Sequence, residues 1–227
     1  MHSVLKVIRT LRSWNLVPVL IIYYAVGVAG LIVPATRELF MELTPFSLLM
    51  SITLLLLYHD RFDTRFWLTS LAIFAAGFLV EMAGVETGLI FGEYTYGDTL
   101  GPKLIHTPLM IGVNWLMLVY CSNYIAGKFI EPLYFRSIVA AAMMVVYDFA
   151  LEHAAMRFDM WDWEGGVVPL QNYVAWFVVA FLLNYLAGAM RLTARENKLA
   201  LPLFFIQLVF FILLDIWIFG ERIWGFS

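Results

Sequence analysis

Charge is what this chain has least of. Only 14% of its 227 residues are Asp, Glu, Lys or Arg, against 63% hydrophobic, where a soluble domain carries about 25% and about 45–50%. That balance excludes a water-facing globule and points to an integral membrane protein. A single cysteine, Cys121, lies inside an apolar run, so an intrachain disulfide is excluded and cysteine usage identifies no compartment. Basic residues occur only in short loop groups, so no nucleic-acid partner is expected. The four histidines do not form the HxxxH or HxxHH groups of a membrane di-iron hydroxylase or desaturase. A dinucleotide fingerprint, a P-loop and a nucleophile elbow are all missing. The last apolar run contains no lysine, so retinal would find no Schiff-base partner there. Asp159 and Asp162 in DMWD echo diphosphate-binding carboxylates without the Arg or Lys neighbours a prenyltransferase needs. What remains is acid–base chemistry without a metal or redox cofactor, or binding and transport.

A spanning helix needs about 20 mostly apolar residues. The sequence predicts an all-α bundle of about seven such helices, near 15–33, 43–58, 66–84, 108–126, 136–153, 170–190 and 200–219. Most of the prolines fall at or near the boundaries of these runs, where helix starts tolerate them. No Gly/Ser-rich linker interrupts the chain, so residues 1–227 read as one transmembrane domain. Lys6, Arg9 and Arg12 precede the first run, which is read as an uncleaved helix. They join Arg61, Arg65, Lys128, Arg136, Arg191, Arg195 and Lys198 in one set of alternate connections, while Arg37, Lys103, Arg157 and Arg222 make up the sparser set. Positive charge marks the cytoplasmic side. The expected location is a prokaryotic cytoplasmic membrane, with the N-terminus inside and the C-terminus outside.

Two stretches hold most of the polar residues that matter. The first, Glu81 to Pro108, contains Glu81, Glu86, Phe91, Tyr94 and Tyr96 among five glycines, and is followed by Asn114 and Trp115. The second, Asp148 to Trp176, contains Asp148, Glu152, Trp161, Trp163, Asn172, Tyr173 and Trp176. The alternation of the helices brings both stretches to the outer end of the bundle. A faint duplication is also legible: Glu86, Tyr94-Thr-Tyr96, Pro108 and Asn114-Trp115 in one unit, and Glu152, Trp161-Asp-Trp163, Pro169, Asn172 and Trp176 in the other.

Asp148 and Glu152, four residues apart, share a helix face. Burial and mutual repulsion there disfavour the charged form, which suits general acid and base work. Glu81 follows a long apolar run, where a carboxylate is costly; a structural pairing with Asn114 or a tyrosine hydroxyl is the alternative to function. Glu86 and Glu93 read as solvated, Asp215 as a partner of Arg222, and His59 as cytoplasmic surface. His106 and His153 share the outer side without a metal-ligand spacing. The aromatics are either an interfacial belt or the lining of an apolar pocket whose ring faces stabilise a cation.

The string ExxGVxTGxxFGxYxYxxxLGPK, then PLxIGxNW, DxxxE, WxW and PxxNYxxWF, resembles the membrane carotenoid-biosynthesis family that includes the carotenoid 1,2-hydratases. The likeness covers about residues 77–186. It departs at His153, where the family pattern often has proline, which leaves the geometry after Glu152 open. The resemblance implies addition of water across the terminal C1–C2 double bond of an acyclic or monocyclic carotene end group, such as lycopene, γ-carotene or a bacterioruberin precursor. No cofactor is implied; the expected partners are the carotenoid, membrane lipid and other enzymes of the pathway. On this reading Glu81 or Asp148 protonates C2, Glu152 serves as base or water holder, and a tertiary cation forms at C1. Tyr94, Trp115 and Trp176 line the cation pocket, while Asn114 and Asn172 orient carboxylate or water. The remaining substrate-side residues are Glu86, Phe91, Tyr96, Trp161, Trp163 and Tyr173. A lycopene cyclase-type isomerase begins with a related protonation, and a non-catalytic carotenoid carrier or transporter is the reading from another class. A transporter would want polar residues through the whole membrane depth, which the sequence places mainly in the outer half.

Overall fold

Apolar runs become helices here, and proline marks where most of them begin. A computed structural model describes residues 15–193 and 196–224; Lys6, Arg9, Arg12 and Arg195 lie outside the described residues. Helix α1 (Val17–Ile32) is followed by α2 (Pro34–Glu42), α3 (Thr44–Leu57) and α4 (Thr64–Thr87). Next come β1 (Tyr94–Tyr96), β2 (Lys103–Leu104), β3 (Thr107–Pro108), α5 (Met110–Gly127) and α6 (Leu133–Arg157). The chain ends with β4 (Trp161–Trp163), a 3₁₀ turn (Glu164–Gly166), α7 (Leu170–Ala189) and α8 (Ala200–Trp224).

The all-α membrane-type fold is as expected, and each predicted run has its helix. Length and composition do not confirm a count of seven spans. Among the described residues, α4, α6, α7 and α8 are long and apolar enough to cross a membrane, and α2 with α3, bent by 56°, makes a fifth if the pair is one span. Helix α1 has only 16 residues. Helix α5 is less apolar because it need not meet lipid. It packs against α3, α4, α6, α7 and α8, and all residues from Met117 to Ala126 are buried. Ile22, Leu68, Leu71, Leu182 and Ile216 stand exposed, an apolar outer surface suited to lipid rather than water.

Helix α2 was not foreseen. It folds back so that Phe40 packs against Gly30. Arg37 then donates from Nε to Leu31 O at 3.0 Å and from Nη2 to Ile32 O at 3.1 Å, satisfying carbonyls that the end of α1 leaves open.

Helix α4 starts where Asp63 Oδ1 accepts from Phe66 N at 2.9 Å, an N-cap that also sets negative charge at the positive end of the helix. It stops at Gly88, which takes φ +65°, a left-handed cap natural to glycine. The chain then leaves α4 through β1, and leaves α6 through β4. The two strands pair antiparallel, Tyr94 with Trp163, Thr95 with Asp162 and Tyr96 with Trp161. Both helical hairpins therefore turn at the same end of the bundle, where the ribbon joins them. Arg61, Lys128, Arg191 and Lys198 belong to the connections at the other end, and Arg65 and Arg136 to the first turns of α4 and α6 there.

Candidate active site

The last turns of α4 and α6 and the first turns of α5 and α7 converge beneath the β1–β4 ribbon. Each of the two hairpins contributes a buried carboxylate held in the same manner. Glu81 Oε2 accepts from Tyr94 Oη at 2.6 Å and Tyr96 Oη at 2.9 Å, and its Oε1 accepts from Trp115 Nε1 at 3.0 Å. Glu152 Oε2 accepts from Trp161 Nε1 at 3.0 Å and Trp163 Nε1 at 2.7 Å, and its Oε1 accepts from Asn172 Nδ2 at 3.2 Å. Two donors come from the strand and one from the returning helix in each case. The duplication read from sequence is thus present in the hydrogen bonding, with one correction: the counterpart of Glu152 is Glu81, not Glu86.

Alternation along the strands explains the arrangement. Side chains i and i+2 of a strand face the same side, so Tyr94 and Tyr96, like Trp161 and Trp163, point at the carboxylates, while Thr95 and Asp162 turn away. A third acid joins them. Asp148 Oδ2 accepts from Asn172 Nδ2 at 2.8 Å, and Asp148 Oδ1 is buried without a hydrogen-bond partner. Glu81, Asp148 and Glu152 are 4%, 1% and 1% exposed, and among the described residues none forms an ion pair with Lys, Arg or His. Three ionised carboxylates so enclosed would repel one another strongly.

Between the acids is a cavity of about 20 Å³ lined by these three residues and by Tyr94, Tyr96, Ile111, Asn114, Trp115, Trp161, Trp163, Asn172 and Trp176. About 10–15 Å³ suffices for one water. It is not the apolar pocket expected from the aromatic content, because the tryptophan and tyrosine donors are turned inward onto the acids. Trp115 and Trp176 form one wall, stacked with centroids 4.2 Å apart and planes 22° from parallel. The Asn114 side chain makes no hydrogen bond among the described residues. Burial, and then the charge of Glu81, hold the Tyr94 and Tyr96 hydroxyls well above the ordinary tyrosine value of 10.0, so both remain donors.

Three sequence-predicted residues stand outside the cavity lining. Phe91 is buried behind it, edge-on to Tyr94 at 6.3 Å. Glu86 pairs with His106 at 2.6 Å on the exposed surface. Tyr173 packs on Phe149 on the outer side of α6 and α7. Asp215 does not pair with Arg222; its Oδ2 lies 3.5 Å from His153 Nδ1. With histidine rather than proline after Glu152, α6 continues unbroken to Arg157. His59 is not surface either: it is 3% exposed and bonded to Tyr120 Oη at 2.8 Å and Arg61 O at 2.7 Å. Buried polar groups also extend away from the ribbon end, with Gln207 bonded to Tyr24 at 2.7 Å and Asn123 to Asn184 O at 2.9 Å; these are uncharged, and the buried carboxylates remain at the ribbon end.

Sequence reasoning missed Ile111 as a lining residue and the role of Gly77. A Cβ on Gly77 would come 2.6 Å from Trp115 Cβ and Cγ, so only glycine lets α5 approach closely enough for Trp115 to reach Glu81. No pattern marks Ile111, one apolar residue among many.

The family model described as carotenoid biosynthesis protein matches residues 43–224. Bisanhydrobacterioruberin hydratase from Haloarcula japonica is 32% identical over 168 residues, which cover 67% of this chain and 55% of that protein. The chain thus spans about half the length of this curated relative. No solved structure matches.

Proposed function

The chain belongs to the carotenoid biosynthesis protein family, and we propose that it adds water across the terminal C1–C2 double bond of an acyclic carotenoid end group. The observation that carries this reading is Asp148 Oδ1, a buried carboxyl oxygen without a partner beside a water-sized cavity. The hydratase relative supports the same reaction class.

An alkene is a weak base, so it needs an acid kept from water. Glu81 and Glu152 each receive three donors, which favour their ionised forms. Asp148 receives one and is the carboxyl that carries the proton. Asp148 protonates C2, and the π pair leaves C1 as a tertiary cation. The flanking carboxylates and the wall formed by Trp115 and Trp176 stabilise that charge. Water bonds to C1 and gives its proton to Glu152. An end group is larger than the cavity, so binding includes a shift of the ribbon or of the stacked tryptophans. The basic residues at the opposite end support a site in the outer half of the membrane, with the N-terminus in the cytoplasm.

Expression in a carotene-producing bacterium, with mass analysis of the pigment, tests the reaction. A product heavier by one water supports it. A rearranged product of unchanged mass would identify a cyclase-type isomerase, and unchanged pigment bound to the protein would identify a carrier.

A further inference from the structure

Two asparagines line the cavity, and their hydrogen bonding separates their roles. Asn172 donates to both Asp148 and Glu152 and bridges those acids. The Asn114 side chain has no such partner, although the residue lines the same cavity. The cavity, at about 20 Å³, has room for about one water, and a buried water needs two to four polar partners. The Asn114 amide and the spare lone pairs of Glu81 and Glu152 provide them, whereas Ile111 and the stacked tryptophans provide none.

We infer that Asn114 holds the attacking water and thereby decides what captures the cation. This rests on the hydratase reading. In the normal course a water lone pair closes on C1 and the released proton goes to Glu152. With water displaced, the cation has two exits. A carbon beside C1 loses a proton to the Asp148 carboxylate, which restores an alkene. Alternatively, a nearby C=C of the same chain donates its π pair to C1, closing a ring, and the new cation then loses a proton. Neither exit changes the mass, but in D₂O both leave deuterium where Asp148 delivered it.

The experiment compares wild type, Asn114→Leu and Asn114→Ser with lycopene in detergent micelles in D₂O, measuring alcohol and deuterated hydrocarbon by mass. Leucine fills the position without offering a hydrogen bond, and serine retains a polar group. The expected result is a fall of about 10²-fold or more in alcohol for Asn114→Leu, with deuterium still entering the hydrocarbon, and a ratio for Asn114→Ser between those of leucine and wild type. If Asn114→Leu does not fold, Asn114→Ser carries the test, with an expected fall of about tenfold in the ratio of alcohol to deuterated hydrocarbon. A ratio unchanged from wild type in the folded variant overturns the inference, as does loss of alcohol and deuterium together in protein that melts like wild type. Absence of alcohol from wild type itself is a different result, which sinks the hydratase reading first.

Discussion

Tyr94 and Trp163 face each other across the β1–β4 ribbon with ring centroids 4.8 Å apart, yet they serve different carboxylates. The tyrosine hydroxyl donates to Glu81 at 2.6 Å and the indole N–H to Glu152 at 2.7 Å. One strand pair thus sets the positions of two acids that are far apart in sequence.

Tyr94→Phe and Trp163→Phe each remove a donor from a buried acid. Hydrogen bonds to charged groups contribute about 1.5–3 kcal/mol, so each variant is expected to melt lower in detergent. Because the rings touch, the double variant should depart from additivity by at least about 0.5 kcal/mol. Simple additivity in a double-mutant cycle would show that the two halves of the ribbon do not act as a unit.

Asp148→Asn and Glu152→Gln separate chemistry from stability. Asparagine at 148 still offers an oxygen to Asn172, so the protein should melt near wild type while hydration falls by about 10²–10⁴-fold. Glutamine at 152 loses the charge that two indole N–H groups address through one oxygen, so Glu152→Gln should melt lower than Asp148→Asn. Pigment analysis and thermal melting on the same preparations give both readouts. Normal hydration by Asp148→Asn would remove it as the acid.

The bundle was legible because apolar length is written directly in the sequence, and Asp148 with Glu152 because helical spacing places them on one face. The pairing of YTY with WDW was visible only as a repeated aromatic-x-aromatic pattern. Strand alternation in segments of three residues is too short to distinguish from an interfacial belt. Glu86 was matched to Glu152 because both precede their aromatic motifs. Only the fold shows that Glu86, in the last turn of α4, faces His106 on the exposed surface, leaving Glu81 beneath the ribbon. His59 looked superficial because it adjoins charged Asp60 and Arg61, but the site it occupies is made by Tyr120 of another helix.

Gly77→Ala tests the close approach of α4 and α5. The added methyl would lie 2.6 Å from Trp115, and overpacking of this kind costs about 1–3 kcal/mol. The variant should melt lower and also hydrate more slowly, because Trp115 is displaced from Glu81. Gly220→Ala is the control: no atom lies within 4 Å of its added Cβ, and alanine favours helix by up to about 1 kcal/mol over glycine. Equal melting of the two variants would show that the Gly77 contact relaxes freely.

Orientation is tested at the C-terminus. The proposed orientation sets the basic turns on the cytoplasmic face, so a phosphatase or fluorescent reporter fused after Ser227 should behave as exported. A cytoplasmic reporter would put the acid cluster in the inner half of the membrane and reverse the side from which water reaches it.

Alkaline pH probes the donors of Glu81. Burial first, and then the Glu81 charge, raise Tyr94 and Tyr96 well above 10.0, whereas in the unfolded chain they titrate near the ordinary value of about 10. The folded state therefore keeps protons that the unfolded state releases. The stability this confers is complete below about pH 10 and declines as pH rises from there toward the folded values. Melting temperature should fall above about pH 10 in wild type and fall less in Tyr94→Phe and Tyr96→Phe. In a tyrosinate absorbance titration of folded protein, these two hydroxyls should ionise only as the protein unfolds. Their ionisation near pH 10 in protein that remains folded would mean that the ribbon admits solvent and that Glu81 is not enclosed.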